Sequence, residues 1–275
     1  MGVDREESLA HLAQRNCEVT GRAGGTTVVA DAAAFPVQGF AAWHADPDRR
    51  TSGRRTTQIE LYEPPLEVLE KLLSQNPNAA LKLAPAAEAP ERWKKIAERE
   101  WLESREECRQ QVAWFGSLAR RPGEKAATIV DAPSGPRTVQ GRGEGPVPIE
   151  DRIGRFVYEP AAAVLAAKLT HVLSQEHKLA AVSSKAMYLT GDVPIHDAAL
   201  AGFEVQAVLP LDERQLKAWL RQRGLGRLEV KKRGCDVEPE KLRKRLGGHG
   251  DEAATLLVCQ VGGQVQAIVA RRLQP

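Results

Sequence analysis

Cysteine is scarce in this chain. Cys17, Cys108, Cys235 and Cys259 are scattered over 275 residues, and none forms a Cys-x-x-Cys pair. That scatter excludes a dense disulfide framework and a cysteine-rich zinc module, and it predicts reduced thiols. The six histidines show no His-x-x-x-His spacing, so no metal site is expected. No apolar run reaches the ~18–20 residues of a membrane-spanning helix. Near the first residue, Asp4, Glu6 and Glu7 stand where a signal peptide would be positive and then apolar, so a cytoplasmic location is expected. Aromatic residues make up only 5% of the chain, which leaves few rings for stacking on bases.

What is present is ordinary for a globular protein, with 42% hydrophobic and 27% charged residues. The net charge of +3 hides an asymmetry. Residues 211–275 hold 14 Lys and Arg against 8 Asp and Glu, whereas the rest of the chain is net acidic. A basic C-terminal region points to an anionic partner such as RNA, or to a merely solvated charged surface.

Leu9, Leu12 and Ala13 recur at helical spacing after Asp4, and Asp4-x-x-Glu7 has the form of a capping box with Asp4 as N-cap. Residues 26–30 are a β-branched run that reads as a buried strand ending at Asp31, and residues 40–45 read as a strand ending at Asp46. Leu66, Leu69, Leu72 and Leu73 mark a helix, and residues 79–84 a further strand closed by Pro85. Strands alternating with helices predict a parallel, doubly wound sheet. Three strand ends then carry acids: Asp4, Asp31 and Asp46. Ligands of such sheets bind outside the carboxyl ends of the strands, where carboxylates can accept from ribose hydroxyls and an adenine amino group.

These residues resemble a family. Asp4-Arg5-Glu6, Val28-Val29-Ala30-Asp31 and Asp46-Pro47 look like the second, third and fourth strand ends of class I S-adenosylmethionine-dependent methyltransferases. A more specific similarity is to a bacterial group with a THUMP-like C-terminal domain, whose Asp-Pro-Ala-Arg-Arg segment is followed by Gly-Arg-Arg and a proline-containing helix start. Here the segments are Asp46-Pro47-Asp48-Arg49-Arg50, Gly53-Arg54-Arg55 and Pro64-Pro65. Further landmarks are Lys82-Leu83-Ala84-Pro85, Glu100-Trp101, Glu107-Cys108 and Trp114-Phe115-Gly116. The resemblance implies S-adenosyl-L-methionine as cofactor, with Asp4 at its ribose, Asp31 at its adenine, and Asp46 with Pro47 beside the methyl group in catalysis. It places Arg49 and Arg50 toward a phosphate-bearing acceptor. Asp48 departs from the family's alanine and adds a negative charge to that loop.

The family's first strand and its Gly-x-Gly turn have no counterpart in this sequence. Gly141-Arg142-Gly143-Glu144-Gly145 has the letters but neither a preceding strand nor a following helix. The expectation is therefore an N-terminally truncated enzyme, whether a shortened product or a natural remnant, that methylates poorly or not at all. A non-catalytic RNA-binding or scaffolding protein is the alternative.

Further along, residues 98–103 and 111–115 predict an antiparallel strand pair and residues 126–130 another strand, with Trp101, Trp114 and Phe115 in the core. Residues 164–173 carry a helical pattern. Residues 203–209, 227–234, 254–261 and 265–270 read as strands, with helices around Leu216 to Leu220 and over residues 239–246. Residues 227–234 resemble the THUMP-like domain, and Lys231, Lys232 and Arg233 are its expected RNA contacts, with Arg243, Lys244 and Arg245 nearby. The expected RNA is a tRNA or rRNA. The fold class is α/β: an incomplete Rossmann-like doubly wound methyltransferase sheet (1–131), a Pro/Gly-rich linker (132–154), a small spacer (155–200) and an α+β, ferredoxin-like or THUMP-like region (201–275).

Overall fold

A computed structural model of the chain describes every residue except 22–24, 51–52, 249 and 275. The chain divides into two compact units, Met1–Glu100 with Gln110–Glu124, and Trp101–Arg109 with Lys125–Pro275.

The first unit is built on β1 (Gly2–Asp4), α1 (Glu7–Val19), β2 (Thr27–Val29), β3 (Trp43–Ala45), α2 (Leu66–Gln75), β4 (Ala79–Leu83) and α3 (Glu91–Ile96). The strands β5 (Glu98–Ser104) and β6 (Glu107–Trp114) run from it into the second unit. β1 pairs in parallel with β2, Val3 opposite Val28, and β3 pairs in parallel with β4, His44 opposite Ala80. Helices α1 and α2 make the crossovers that parallel neighbours require. β4 then pairs antiparallel with β6, and the neighbours follow the order β3-β4-β6-β5. The core gathers on β4, whose Leu81 and Leu83 are buried with Leu69, Tyr62, Trp93 and Phe115. Trp93 meets Phe115 edge to face at 5.3 Å. Trp101 and Phe115 are core residues as expected, while Trp114 is half-buried and its indole N–H donates to Glu100 at 2.9 Å.

The β1–β2 pair is a separate two-stranded sheet. Among the described residues, one edge of β1 and one edge of β3 pair with no strand. This thinness corrects three expectations. β2 is not buried: Val29 is 55% exposed. The helical face of α1 is not Leu9, Leu12 and Ala13, all of which are exposed. Instead Ala10 is buried, and Gln14 spends its side chain on Thr27 N–H and Gly25 O. A two-stranded sheet covers too little of a helix to bury a wide apolar stripe. The N-cap of α1 is Glu6 rather than Asp4.

Residues 40–45 form a strand only from Trp43, because Asn76 holds the preceding turn. Its Nδ2 donates to Val37 O and Phe40 O at 3.0 and 2.8 Å. The indole N–H of Trp43 donates to Asn76 O in return, at 2.8 Å.

The second unit contains β7 (Lys125–Ile129), β8 (Arg137–Gly141), β9 (Phe156–Pro160), α4 (Ala162–Ala167), α5 (Thr170–His177), β10 (Ala180–Ala181) and β11 (Leu189–Gly191). It continues with β12 (Leu200–Pro210), α6 (Glu213–Gln222), β13 (Leu225–Arg233), α7 (Pro239–Leu246), β14 (Glu252–Val261) and β15 (Gln264–Arg272). Residues 132–154, expected as linker, contain β8, which pairs antiparallel with β7. The helical pattern over residues 164–173 is two helices, broken where Lys168 takes a left-handed φ of 59°. One seven-stranded sheet, β10-β11-β9-β12-β15-β14-β13, carries the rest. β12 joins its two parts by pairing antiparallel with both β9 and β15. Only β13 and β14 run parallel, linked through α7. Leu216, Leu220, Leu242 and Leu246 of α6 and α7 pack on Leu256, Val258 and Val269. Asp212 caps α6 by accepting from Gln215 N–H at 2.7 Å.

Candidate functional site

The acid-bearing strand ends of the first unit are held by local hydrogen bonds and by two ion pairs. Asp4 ends β1, and its Oδ1 accepts from Glu6 N–H at 2.9 Å. Asp31 follows β2, and its Oδ1 accepts from Ala33 N–H at 2.8 Å, capping the 3-10 turn Ala32–Ala34. That turn lies against α2. In both side chains the second oxygen has no hydrogen-bond partner among the described residues.

Asp46 leaves the end of β3 exposed, and Pro47 behind it is buried. Asp46 Oδ2 takes Lys82 Nζ from the neighbouring strand β4 at 2.6 Å. The loop after Pro47 is fastened to residues 62–65 by a two-bond bridge, Asp48 N–H to Glu63 O at 2.8 Å and the reverse at 3.0 Å. The Glu63–Pro64 peptide is cis. Glu63 in turn accepts from Arg5 at 3.2 Å, which places the end of β1 and the loop after β3 on one rim. Asp48, the departure from the family pattern, is a turn former: its Oδ1 accepts from Arg50 N–H at 3.0 Å. Arg49 is half-buried and Arg50 exposed, and neither guanidinium has an ion pair among the described residues.

Sequence reasoning missed Arg5, Glu63 and Lys82 as members of this rim. For Lys82 a signal exists, since it is the only charged residue in the apolar run Ala79-Ala80-Leu81-Lys82-Leu83.

The basic residues of the second unit sort differently from expectation. Lys231 Nζ lies 2.7 Å from Glu159 Oε2, and Arg233 lies 2.8 Å from Glu159 Oε1. Glu159 is largely buried, so these two cations neutralise it rather than stand open to a ligand. Lys232 is exposed, with Nζ 3.4 Å from Cys235 O. Arg245 pairs with Glu213 at 2.7 Å.

A polar cluster that the sequence did not suggest joins Arg137, Glu176, His177 and Asp197. Arg137 donates to Glu176 and Asp197, both at 2.8 Å, and His177 Nε2 lies 3.0 Å from Asp197 Oδ2. The Glu176, His177 and Asp197 ligand atoms are close enough to hold a cation, and the Arg137 guanidinium already supplies positive charge there. Burial pushes Asp197 up, but Arg137, the Ala199 N–H and His177 outweigh it and hold its pKa at about 2.

Residues 200–272 match the family model described as THUMP domain-like. Two Mycobacterium tuberculosis proteins, from strains CDC 1551 and H37Rv, are each 29% identical over 237 residues, covering 84% of this chain. Both are named uncharacterized S-adenosylmethionine-dependent methyltransferases. The chain spans 63% of the length of these relatives. A crystal structure from Porphyromonas gingivalis W83, described as a presumed methyltransferase, superposes with a TM-score of 0.80 at 18% identity, covering 99% of this chain and 71% of that one. The fold is thus the α/β, Rossmann-like arrangement with a small C-terminal domain. The chain is a relative of proteins named S-adenosylmethionine-dependent methyltransferases, and its residues 200–272 are a THUMP-like domain.

Proposed function

We propose that the chain supplies the nucleoside-binding and acceptor-facing rim of an S-adenosylmethionine-dependent methyltransferase. The observation that carries this reading is the set of carboxylates at three strand ends, Asp4, Asp31 and Asp46, each strand parallel to its sheet neighbour, in a chain related to such enzymes. The residues fit the nucleoside half of the cofactor. Asp4 and Asp31 each keep one carboxylate oxygen free of local bonds, as acceptors for ribose hydroxyls and an adenine amino group require. When bound, the cofactor supplies an electrophilic sulfonium methyl.

Asp46, held by Lys82 and backed by buried Pro47, would border the reacting groups and orient the acceptor. Alignment of the two reactants is the main contribution such a rim makes. Arg49 and Arg50 would hold acceptor phosphate oxygens. RNA is the proposed acceptor, on the strength of the THUMP-like domain and the basic C-terminal region. A cytoplasmic location accords with this acceptor. Among the described residues no helix is long and apolar enough to cross a membrane.

A specific observation favours a second reading, an RNA-binding protein without catalysis. The basic residues 211–275 would bind RNA whether or not the first unit transfers a methyl group.

Calorimetric titration of S-adenosylhomocysteine tests the first reading. Saturable binding, weakened in both Asp4→Ala and Asp31→Ala, supports it. No heat at millimolar ligand would refute donor binding by this chain and favour the second reading.

A further inference from the structure

A cavity of about 640 Å³ lies beside β13, the edge strand of the seven-stranded sheet. Its wall is basic. Arg227 comes from β13, and Arg243 and Lys244 from the last turn of α7. Gly226, Gly247 and Gly248 line it as bare main chain. The β13–β14 ladder steps from Leu225 opposite Glu252 to Arg227 opposite Ala253, so Gly226 stands outside the pairing as a bulge. No side chain fits there: a Cβ on Gly226 would lie 2.0 Å from Gly250 O, and one on Gly248 2.3 Å from Gly226 O. Only glycine permits this main-chain approach beside the cations.

The charges on this wall are largely available. Lys244 has no ion pair among the described residues. Arg227 uses Nε on Asp251 O at 2.8 Å and leaves its two terminal nitrogens unengaged. Among the described residues Arg243 pairs with Glu240 alone, an exposed partner one turn back. The wall's acid, Glu229, is turned to neighbours, accepting from Thr255 at 3.2 Å and lying 3.7 Å from Lys231. Cations in a last helical turn also complement the helix dipole. That accounts for Arg243 and Lys244, but not for Arg227.

We propose that this cleft is a phosphate-binding site, and that the phosphate it takes belongs to the backbone of an RNA strand. The phosphate site stands on the cleft alone, whereas the identity of the strand rests on the RNA reading above. Two guanidinium groups and an ammonium suit phosphate oxygens. Among the described residues no Phe, Tyr or Trp ring lines the cleft, so its contacts would position a strand without reading its bases.

The test uses the full chain and a labelled oligouridylate, with DNA of equal length, AMP and inorganic phosphate as separate titrants. The cleft variant is Arg243→Gln with Lys244→Gln. The control is Arg221→Gln with Lys241→Gln, which removes the same charge outside the cleft. Melting curves establish that each variant folds. The expected result is an RNA affinity about tenfold lower in the cleft variant and nearly unchanged in the control, with a salt slope shallower by ~0.7 for each lost contact. Binding of AMP or phosphate that the cleft variant loses, with no binding of RNA, would uphold the phosphate site and overturn the RNA assignment. DNA bound as tightly as RNA would also overturn the assignment to RNA alone. Equal losses in both double variants, or no binding of any titrant, would overturn the site.

Discussion

Lys82 Nζ reaches from β4 to Asp46 Oδ2 at the end of β3, 2.6 Å away, so the acid at the proposed methyl-transfer position carries a fixed counter-charge. The Lys82 side chain is 29% exposed and that of Asp46 51%, so the pair adds little to stability, at most about 1 kcal/mol. Its value lies in orienting the carboxylate. Lys82→Met should leave the melting temperature within about 2–4 °C of the parent, while S-adenosylhomocysteine affinity falls several-fold. Unchanged affinity would detach Lys82 from the site.

Removing Arg137 should be costly. Arg137→Met leaves Asp197, whose side chain is 8% exposed, beside Glu176 without a guanidinium. The expected loss is about 2–3 kcal/mol in urea unfolding, below the usual figure for a fully buried pair because Arg137 is itself partly exposed. The contribution of Asp197 should hold above its ordinary value of 3.8 and fade as pH drops toward about 2, because the unfolded chain takes up the proton first. A stability curve insensitive to this substitution would rule the cluster out as a structural element.

Glu103 predicts the opposite pH dependence. It is 5% exposed and accepts from Ala163 N–H at 2.7 Å, capping the first turn of α4. Burial pushes its carboxyl pKa above the ordinary 4.5, more than the Ala163 amide lowers it. The folded chain therefore holds this proton more tightly than the unfolded one. Its contribution is full below the ordinary value and declines as pH rises through the raised one. Glu103→Gln should flatten that decline in melts taken between about pH 4 and pH 8. Parallel curves for parent and variant would contradict the assignment.

Asn76 should prove one of the most sensitive positions of the first unit. It is 6% exposed, donates to two carbonyls and accepts from Asn78 N–H at 3.0 Å. Asn76→Ala should cost about 1–3 kcal/mol by removing its bonds to Val37 O and Phe40 O and the acceptor of Asn78 N–H, and Asn76→Asp more, since it sets a charge against the two carbonyls. Chemical denaturation measures both, and a loss below about 1 kcal/mol would show that the turn finds other donors.

Local order was legible before the structure. The β-branched run at Thr26 to Ala30 and the leucine spacing from Leu66 to Leu73 placed β2 and α2 within a residue or two, because periodicity and turn residues are local properties. The acids Asp4, Asp31 and Asp46 were readable for the same reason, each standing at or just beyond the end of a strand. The burial of those elements was not readable. Leu9 and Leu12 have the spacing of a core face and yet are 50% and 60% exposed, since burial depends on what lies opposite.

The basic stretch at Lys231 to Arg233 shows the limit most directly. Composition identified it as cationic, but its partner Glu159 lies 72 residues away from Lys231. Nothing in the local pattern distinguishes a cation that neutralises a buried acid from one left for a ligand. The sequence alone determined the alternation of strands and helices over residues 26–84 and the acids at those strand ends, because these follow from local spacing and chain connectivity. Tertiary structure alone decided which charges are engaged, Lys82 with Asp46 and Arg233 with Glu159, and which stand in an open cleft. Ion pairing depends on distances between residues that the chain brings together only when the sheets assemble.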